Sequence, residues 1–196
     1  MALHCASKRL VKKDFNISCQ EMAFFLLGKI LVRQLDNGTI LKGRIVETEC
    51  YLGNEDKASK SYNGRRTPAN EPMYMPFEPG AAVLLRSLEP IVGMEEMKQF
   101  RQGKRASEIT KPEKLCDGPS KLCISMDIKK DNCNKLDLGD PDNNMLWVED
   151  DFLMNPDHLS VVKTSRIGIE SAGEEWAQKP LRFYIAGDTN FVIWKN

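Results

Sequence analysis

The sequence predicts a mixed α/β (α+β) fold, a single compact domain with a curved, mostly antiparallel sheet flanked by helices. Three observations predict it. Lys29 to Leu35 and Thr39 to Leu52 are strand-like runs separated by Asn37-Gly38, a pair preferred in two-residue hairpin turns. Leu181 to Ala186 and Phe191 to Trp194 repeat the arrangement around Gly187-Asp188. Between the hairpins, Met94, Met97, Phe100 and Arg101 recur at helical spacing.

Taken in chain order, Ser18-Cys19-Gln20-Glu21 fits a capping box, in which a serine hydroxyl and a glutamate carboxylate satisfy the free amides of a helix start. The apolar run Met22 to Leu27 follows, and Gly28 can take the left-handed conformation that ends a helix. A short buried helix is expected there. In the second strand a bend is expected at Gly43. Side chains alternate along a strand, so Ile45, Glu47, Glu49 and Tyr51 share one face, while Val46, Thr48 and Cys50 share the other. Two carboxylates and an aromatic thus project together from a rigid element. Residues 53–72, rich in Asn, Ser, Gly, Pro and Arg, read as a loop. Ala82 to Leu88 reads as a buried strand, Pro90 to Gly93 as a turn, and Met94 to Gln102 as an amphipathic helix whose methionines fill the core.

Composition excludes whole classes of function. The chain of 196 residues is 41% hydrophobic and 29% charged, enough for one core. Its longest apolar runs, Met22 to Leu27 and Ala81 to Leu85, fall far short of the roughly 20 residues a bilayer span needs. The polar N-terminus leaves no room for a signal peptide, so neither secretion nor membrane insertion is expected. Six cysteines occur without a C-x-x-C, and the only histidines are His4 and His158, so a zinc site lacks its ligand pairs and six reduced thiols are expected. Asp140-x-Asp142-x-Asn144 begins like a calcium loop, but Met145 stands where the glycine should be. No glycine-rich phosphate cradle is present, so no metal and no cofactor is expected.

Charge is balanced, 28 basic against 28 acidic residues, but not evenly spread. Four bases and no acid lie between Lys57 and Asn70; seven bases and three acids lie between Lys98 and Lys121. Asp137 to Asp157 carries seven acids and no base. A fold that gathered the basic segments would have an anion-binding side, and one that mixed them would have an ordinary solvated surface. Charge permits a nucleic-acid partner without establishing one.

The chemistry concentrates on one strand. Arg44-Ile-Val-Glu47-Thr-Glu49-Cys-Tyr51-Leu-Gly53 closely resembles the catalytic strand of the alkyladenine (3-methyladenine) DNA glycosylases of the vertebrate type. The resemblance continues in order through Arg66-Thr-Pro-Ala-Asn70, Val83-Leu-Leu-Arg86-Ser-Leu-Glu-Pro90, Leu115-Cys-Asp-Gly-Pro-Ser-Lys-Leu-Cys123 and Gly173-Glu-Glu-Trp-Ala-Gln-Lys-Pro-Leu-Arg-Phe-Tyr184. It assigns residues 10–196 to one glycosylase-like domain and leaves 1–9 as a short tail.

The resemblance implies a nuclear, monomeric, metal-free and cofactor-free enzyme. Its substrate would be duplex DNA containing damaged purines, whose glycosidic bond it would hydrolyse to initiate base excision repair. Such an enzyme extrudes the damaged nucleotide, and a carboxylate activates water against the anomeric carbon through an oxocarbenium-like transition state. By position, Glu49 matches the general base, Arg86 the arginine that helps hold the catalytic water, and the backbone carbonyl of Ile167 a further water contact. Tyr51 matches the aromatic that stacks on the flipped base, and Lys60 the position of a pocket histidine. Arg65, Arg66, Lys111, Ser120, Lys121 and Lys130 fall on the DNA-binding side, where phosphate contacts position without reading sequence. Glu47 is expected to be a structural partner for a nearby base.

Two departures accompany the match. Family members carry a long β-hairpin that supplies a wedging tyrosine, yet here only Pro76-Phe77-Glu78-Pro79-Gly80 separates Met73-Tyr-Met75 from Ala81. Tyr74 and Phe77 are the only candidate substitutes nearby. Lys60 in place of histidine adds a charge that would repel a cationic alkylated base. A catalytically impaired damaged-DNA-binding relative, or an incomplete isoform lacking the base-flipping hairpin, is therefore the alternative expectation.

Overall fold

The computed structural model describes residues 8–74, 78–103, 111–151 and 159–186. Helix α1 (Cys19–Phe25) begins as the capping box dictates: the Ser18 amide donates to Glu21 Oε2 at 3.0 Å, and Ser18 Oγ accepts from the Glu21 amide at 3.3 Å. Strands β1 (Ile30–Gln34) and β2 (Ile40–Tyr51) follow. Their turn differs from the two-residue expectation. The Leu35 amide bonds the Thr39 carbonyl, leaving Asp36, Asn37 and Gly38 as a three-residue loop, in which only Gly38 has positive φ. A two-residue type I′ turn would need positive φ at both central residues. Here Asn37 instead spends its side chain on the Thr39 amide.

Strand β3 (Ala82–Val92) runs four residues past its expected end. Pro90 does not break it because β3 pairs only with β2 among the described strands and Pro90 sits beside a register shift, the two settings in which a strand tolerates proline. Helices α2 (Met94–Gln102), α3 (Pro119–Ser125) and α4 (Lys130–Cys133) come next, then β4 (Leu146–Glu149), β5 (Val161–Thr164), α5 (Glu174–Gln178) and β6 (Arg182–Ile185). The second strand of the expected C-terminal hairpin, Phe191 to Trp194, lies outside the described residues; β6 pairs with β2 and β5. No helix among the described residues is long and apolar enough to cross a membrane.

All five strand pairings are antiparallel, and β2 is the hub. One edge of β2 is taken along its length by β3. The other edge is shared: β1 pairs with its first half, from Ile40 to Arg44, and β6 with Glu47 to Glu49. The β2–β3 ladder shifts register at Lys42/Gly43, where the bend was expected, and again on both sides of Glu47. Such bulges bend and twist a sheet, and the sheet stays open.

Helix α1 covers the Val46–Thr48–Cys50 side of β2, where Thr48 Oγ1 donates to the Ala23 carbonyl at 2.6 Å. The larger core cluster joins Met22, Leu31, Leu41, Ile45, Leu88 and the fully buried Met97, the last confirming α2 methionine as core filler. Burial of side chains of this size is worth about 1.5–3 kcal/mol each. Three acids of the acidic stretch are taken up by bases of the first hairpin. Glu149, Asp150 and Asp151 pair with Lys42, Lys29 and Arg44 of the first hairpin, at 2.7 Å in each case.

Just beyond β2, Gly53 adopts φ +86 and packs against backbone; a Cβ there would lie 2.8 Å from the Gly80 carbonyl carbon. Gly53→Ala is expected to cost at least about 2 kcal/mol, from left-handed strain plus overlap with atoms that cannot rotate away. Denaturant unfolding checks this, and an unchanged midpoint would contradict it.

Candidate active site

The end of β2 that projects past β1 carries the chemistry. Glu47 and Glu49 share a face, as alternation requires, and Arg86 spans them: its Nε lies 3.0 Å from Glu47 Oε1 and its Nη1 3.2 Å from Glu49 Oε1. In the ladder Ser87 pairs with Glu47 and Leu85 with Thr48, so Arg86 is the bulged residue between them. The bulge turns its guanidinium toward both carboxylates. Glu47 is also bound by Arg182 Nε at 2.5 Å and Ser87 Oγ at 3.0 Å. With both oxygens so engaged, it is a structural anchor for Arg86.

The Glu49 side chain is fully buried. Three donors cover it. The Ile167 amide donates to Oε1 at 2.9 Å, Arg86 approaches the same oxygen, and the Tyr51 hydroxyl donates to Oε2 at 2.9 Å. A carboxylate offers about four lone-pair sites, so roughly one remains for a water. Burial, then the charge and hydrogen bond of Glu49, push the Tyr51 phenol above the ordinary tyrosine range, so it stays a donor at neutral pH. The contact seen for Ile167 is through its N–H, and its side chain lies exposed at the rim.

The segment bearing Ile167 is held by a buried ion pair that sequence reasoning missed. Arg166 meets Asp56 in a two-pronged contact of 2.5 and 2.9 Å, both side chains having no solvent exposure. Arg166 also donates to the Cys50 carbonyl at 3.0 Å, and its guanidinium stacks 4.6 Å from the Tyr51 ring centroid. Asp56 further accepts the Leu52 and Ala58 amides. One ion pair thereby ties the 53–59 loop, the end of β2 and the Ile167 segment together. Only the adjacency of Arg166 to Ile167 hinted at it.

The loop carrying the basic residues is not merely solvated. Asn70 is buried, donates to the Lys60 and Arg65 carbonyls, and accepts from the Thr67 amide. Lys60 and Arg65 are exposed. Arg66 is engaged by Glu71 at 2.5 and 2.8 Å and lies over the Tyr74 ring, whose hydroxyl donates to the Arg65 carbonyl. Tyr74 is therefore committed to the loop, and Phe77 lies outside the described residues. Lys111, Ser120 and Lys130 are exposed, and Lys121 pairs with Asp117 at 2.8 Å. None of these seven is brought into contact with Glu49. No cluster of three or more His, Cys, Asp or Glu that could hold a metal occurs among the described residues.

A buried carboxylate is thus ringed by an arginine, a tyrosine and a backbone amide. Comparison with known proteins gives the family. The model described as methylpurine-DNA glycosylase (MPG) matches residues 13–79 and 76–189, and the chain belongs to that family. It is 42% identical over 204 residues to the DNA-3-methyladenine glycosylase of Homo sapiens, covering 91% of this chain and 66% of the human protein. It is likewise 42% identical over 206 residues to the Mus musculus protein of the same name, covering 92% of this chain and 60% of that one. The chain thus spans less than two thirds of these two relatives.

Proposed function

We propose that the chain is a monofunctional DNA glycosylase, hydrolysing the N-glycosidic bond of alkylated or deaminated purines of the 3-methyladenine, 7-methylguanine and hypoxanthine kind. The observation that carries the reading is Glu49, a fully buried carboxylate with three donors from Ile167, Arg86 and Tyr51, which leaves about one of its four lone-pair sites for a water. Glu49 accepts a proton from that water as it attacks the anomeric carbon of an extruded nucleotide. Arg86, fixed by Glu47, orients the water, and the charge of Glu49 favours the oxocarbenium-like transition state. The half-buried Tyr51 ring, backed by Arg166, offers a stacking surface to the base. Arg65, Lys111 and Lys130, all exposed, are available to DNA phosphates, whereas a phosphate at Arg66 or Lys121 competes with Glu71 or Asp117.

The test is incubation of the full chain with a duplex holding one 3-methyladenine or hypoxanthine. Alkali-dependent strand cleavage at the lesion is expected, with an intact strand before alkali. Cleavage without alkali would refute the monofunctional assignment.

Tyr51→Phe keeps the ring and removes one hydrogen bond to Glu49. The cost should be about 0.5–1.5 kcal/mol, a fall of roughly tenfold or less in single-turnover rate. A thousandfold loss would mean that the hydroxyl does more than position Glu49.

Two observations favour a second reading, a damaged-DNA binder without turnover. The family match comes in two pieces meeting at 76–79, and the alignment to the human relative has more positions than this chain contributes residues. Both support absence of the wedge hairpin, and Tyr74 is not free to replace it.

A further inference from the structure

Behind the catalytic strand lies a second constellation that the glycosylase chemistry does not use. Cys50 stands between Glu49 and Tyr51 but points to the opposite face, where it meets Cys19 in the first turn of α1. Their sulfurs are 3.1 Å apart, with the Cys50 thiol donating to Cys19 Sγ. A disulfide bond is about 2.05 Å, so closure requires an approach of only about 1 Å. We propose that Cys19 and Cys50 are a modification site: a thiol pair that hydrogen peroxide oxidises to an intrachain disulfide, bracing α1 against the back of the catalytic strand.

The two thiols have different roles. Cys50 is wholly buried, whereas Cys19 is slightly exposed and lines an apolar cavity of about 310 Å³ beside Met22, Leu26, Met73, Val83 and Leu85. The oxidant reaches Cys19 through that cavity. The hydrogen bond from Cys50 lowers the Cys19 thiol from its ordinary value, and it raises Cys50, so Cys19 ionises first. The Cys19 sulfur attacks one peroxide oxygen, the O–O bond breaks, and water departs to leave a sulfenic acid. The Cys50 sulfur then attacks the Cys19 sulfur, the S–O bond breaks, and hydroxide leaves as water with the Cys50 proton. Two thiols lose two electrons and one peroxide gains them.

The approach is made by the helix. Cys50 is held on both edges of β2, pairing with Val83 and donating its amide to the Leu181 carbonyl at 2.8 Å. Cys19 is the first residue of α1, just after the Ser18 cap, its amide donated to the Glu78 carboxylate and its thiol in reach of the Ala82 carbonyl at 3.2 Å. Those are single hydrogen bonds rather than a strand ladder, so the helix is the side that yields by the distance required.

The test reads the bond itself and is independent of any glycosylase activity. Folded full-length protein is titrated with hydrogen peroxide, quenched with catalase, denatured without reductant, alkylated and analysed by peptide mass spectrometry. A linked Cys19–Cys50 peptide, lighter by two hydrogens, is expected while Cys116, Cys123 and Cys133 remain alkylated. In Cys50→Ala the link is lost and Cys19 is captured by dimedone as sulfenic acid. In Cys19→Ser, Cys50 stays alkylatable throughout. Oxidation of Cys116, Cys123 and Cys133 before any link, or a link seen only in urea, would overturn the proposal.

Discussion

Glu49→Gln is expected to lower single-turnover excision by about 10²–10⁴, the range that loss of a general base commands, while binding of lesion-containing duplex is retained. The geometry makes the substitution specific. The glutamine oxygen can still accept from the Ile167 amide and Arg86, and its amide nitrogen can donate to the Tyr51 hydroxyl, which then serves as acceptor. Packing at a fully buried position is preserved, and only proton acceptance and negative charge are lost. Thermal unfolding should therefore move little. Equal losses of binding and turnover would instead mean that Glu49 holds the site together rather than activating water.

The largest stability effect belongs to the Arg166–Asp56 pair. Arg166→Met leaves Asp56 buried without its cation, and breaking such a pair from one side costs about 3–5 kcal/mol. For a chain of this size that is a fall in Tm of roughly 6–20 °C. Because Arg166 precedes Ile167 and backs the Tyr51 ring, excision should also drop at temperatures where the variant is still folded. Asp56→Leu added to Arg166→Met removes the stranded charge and should recover part of the stability. Recovery stays incomplete because the Leu52 and Ala58 amides lose their acceptor. Differential scanning calorimetry of the three variants decides it, and a Tm for Arg166→Met within a degree or two of the parent would show that the pair contributes nothing net.

These two sites also divide what was legible from what was not. Alternation correctly put Glu47 and Glu49 together, because their spacing of two is a local property of one strand. The capping box at Ser18 and the helical spacing from Met94 were equally local, and both helices stand where they were expected. The burial of Glu49 was invisible because its cover, Ile167, comes from 118 positions away. Asp56 and Arg166 are 110 positions apart, and nothing near either signals the other. Strand β4 went unread for a related reason. Its four residues stand among the acids of 137–142 and 149–151, and only the sheet shows Lys42 and Arg44 answering Glu149 and Asp151. The bulge that aims Arg86 is likewise a product of register between two strands.

The central claim is that the Glu49 site hydrolyses a glycosidic bond in this chain as it stands, with five residues between Met75 and Ala81. The most direct measurement is release of free 3-methyladenine from methylated duplex DNA, followed by chromatography under single-turnover conditions with protein shown to be folded by circular dichroism. The account predicts free base released by the parent and suppressed in Glu49→Gln. Folded parent protein that binds the duplex and releases no base would contradict it, leaving the family's site without the family's reaction.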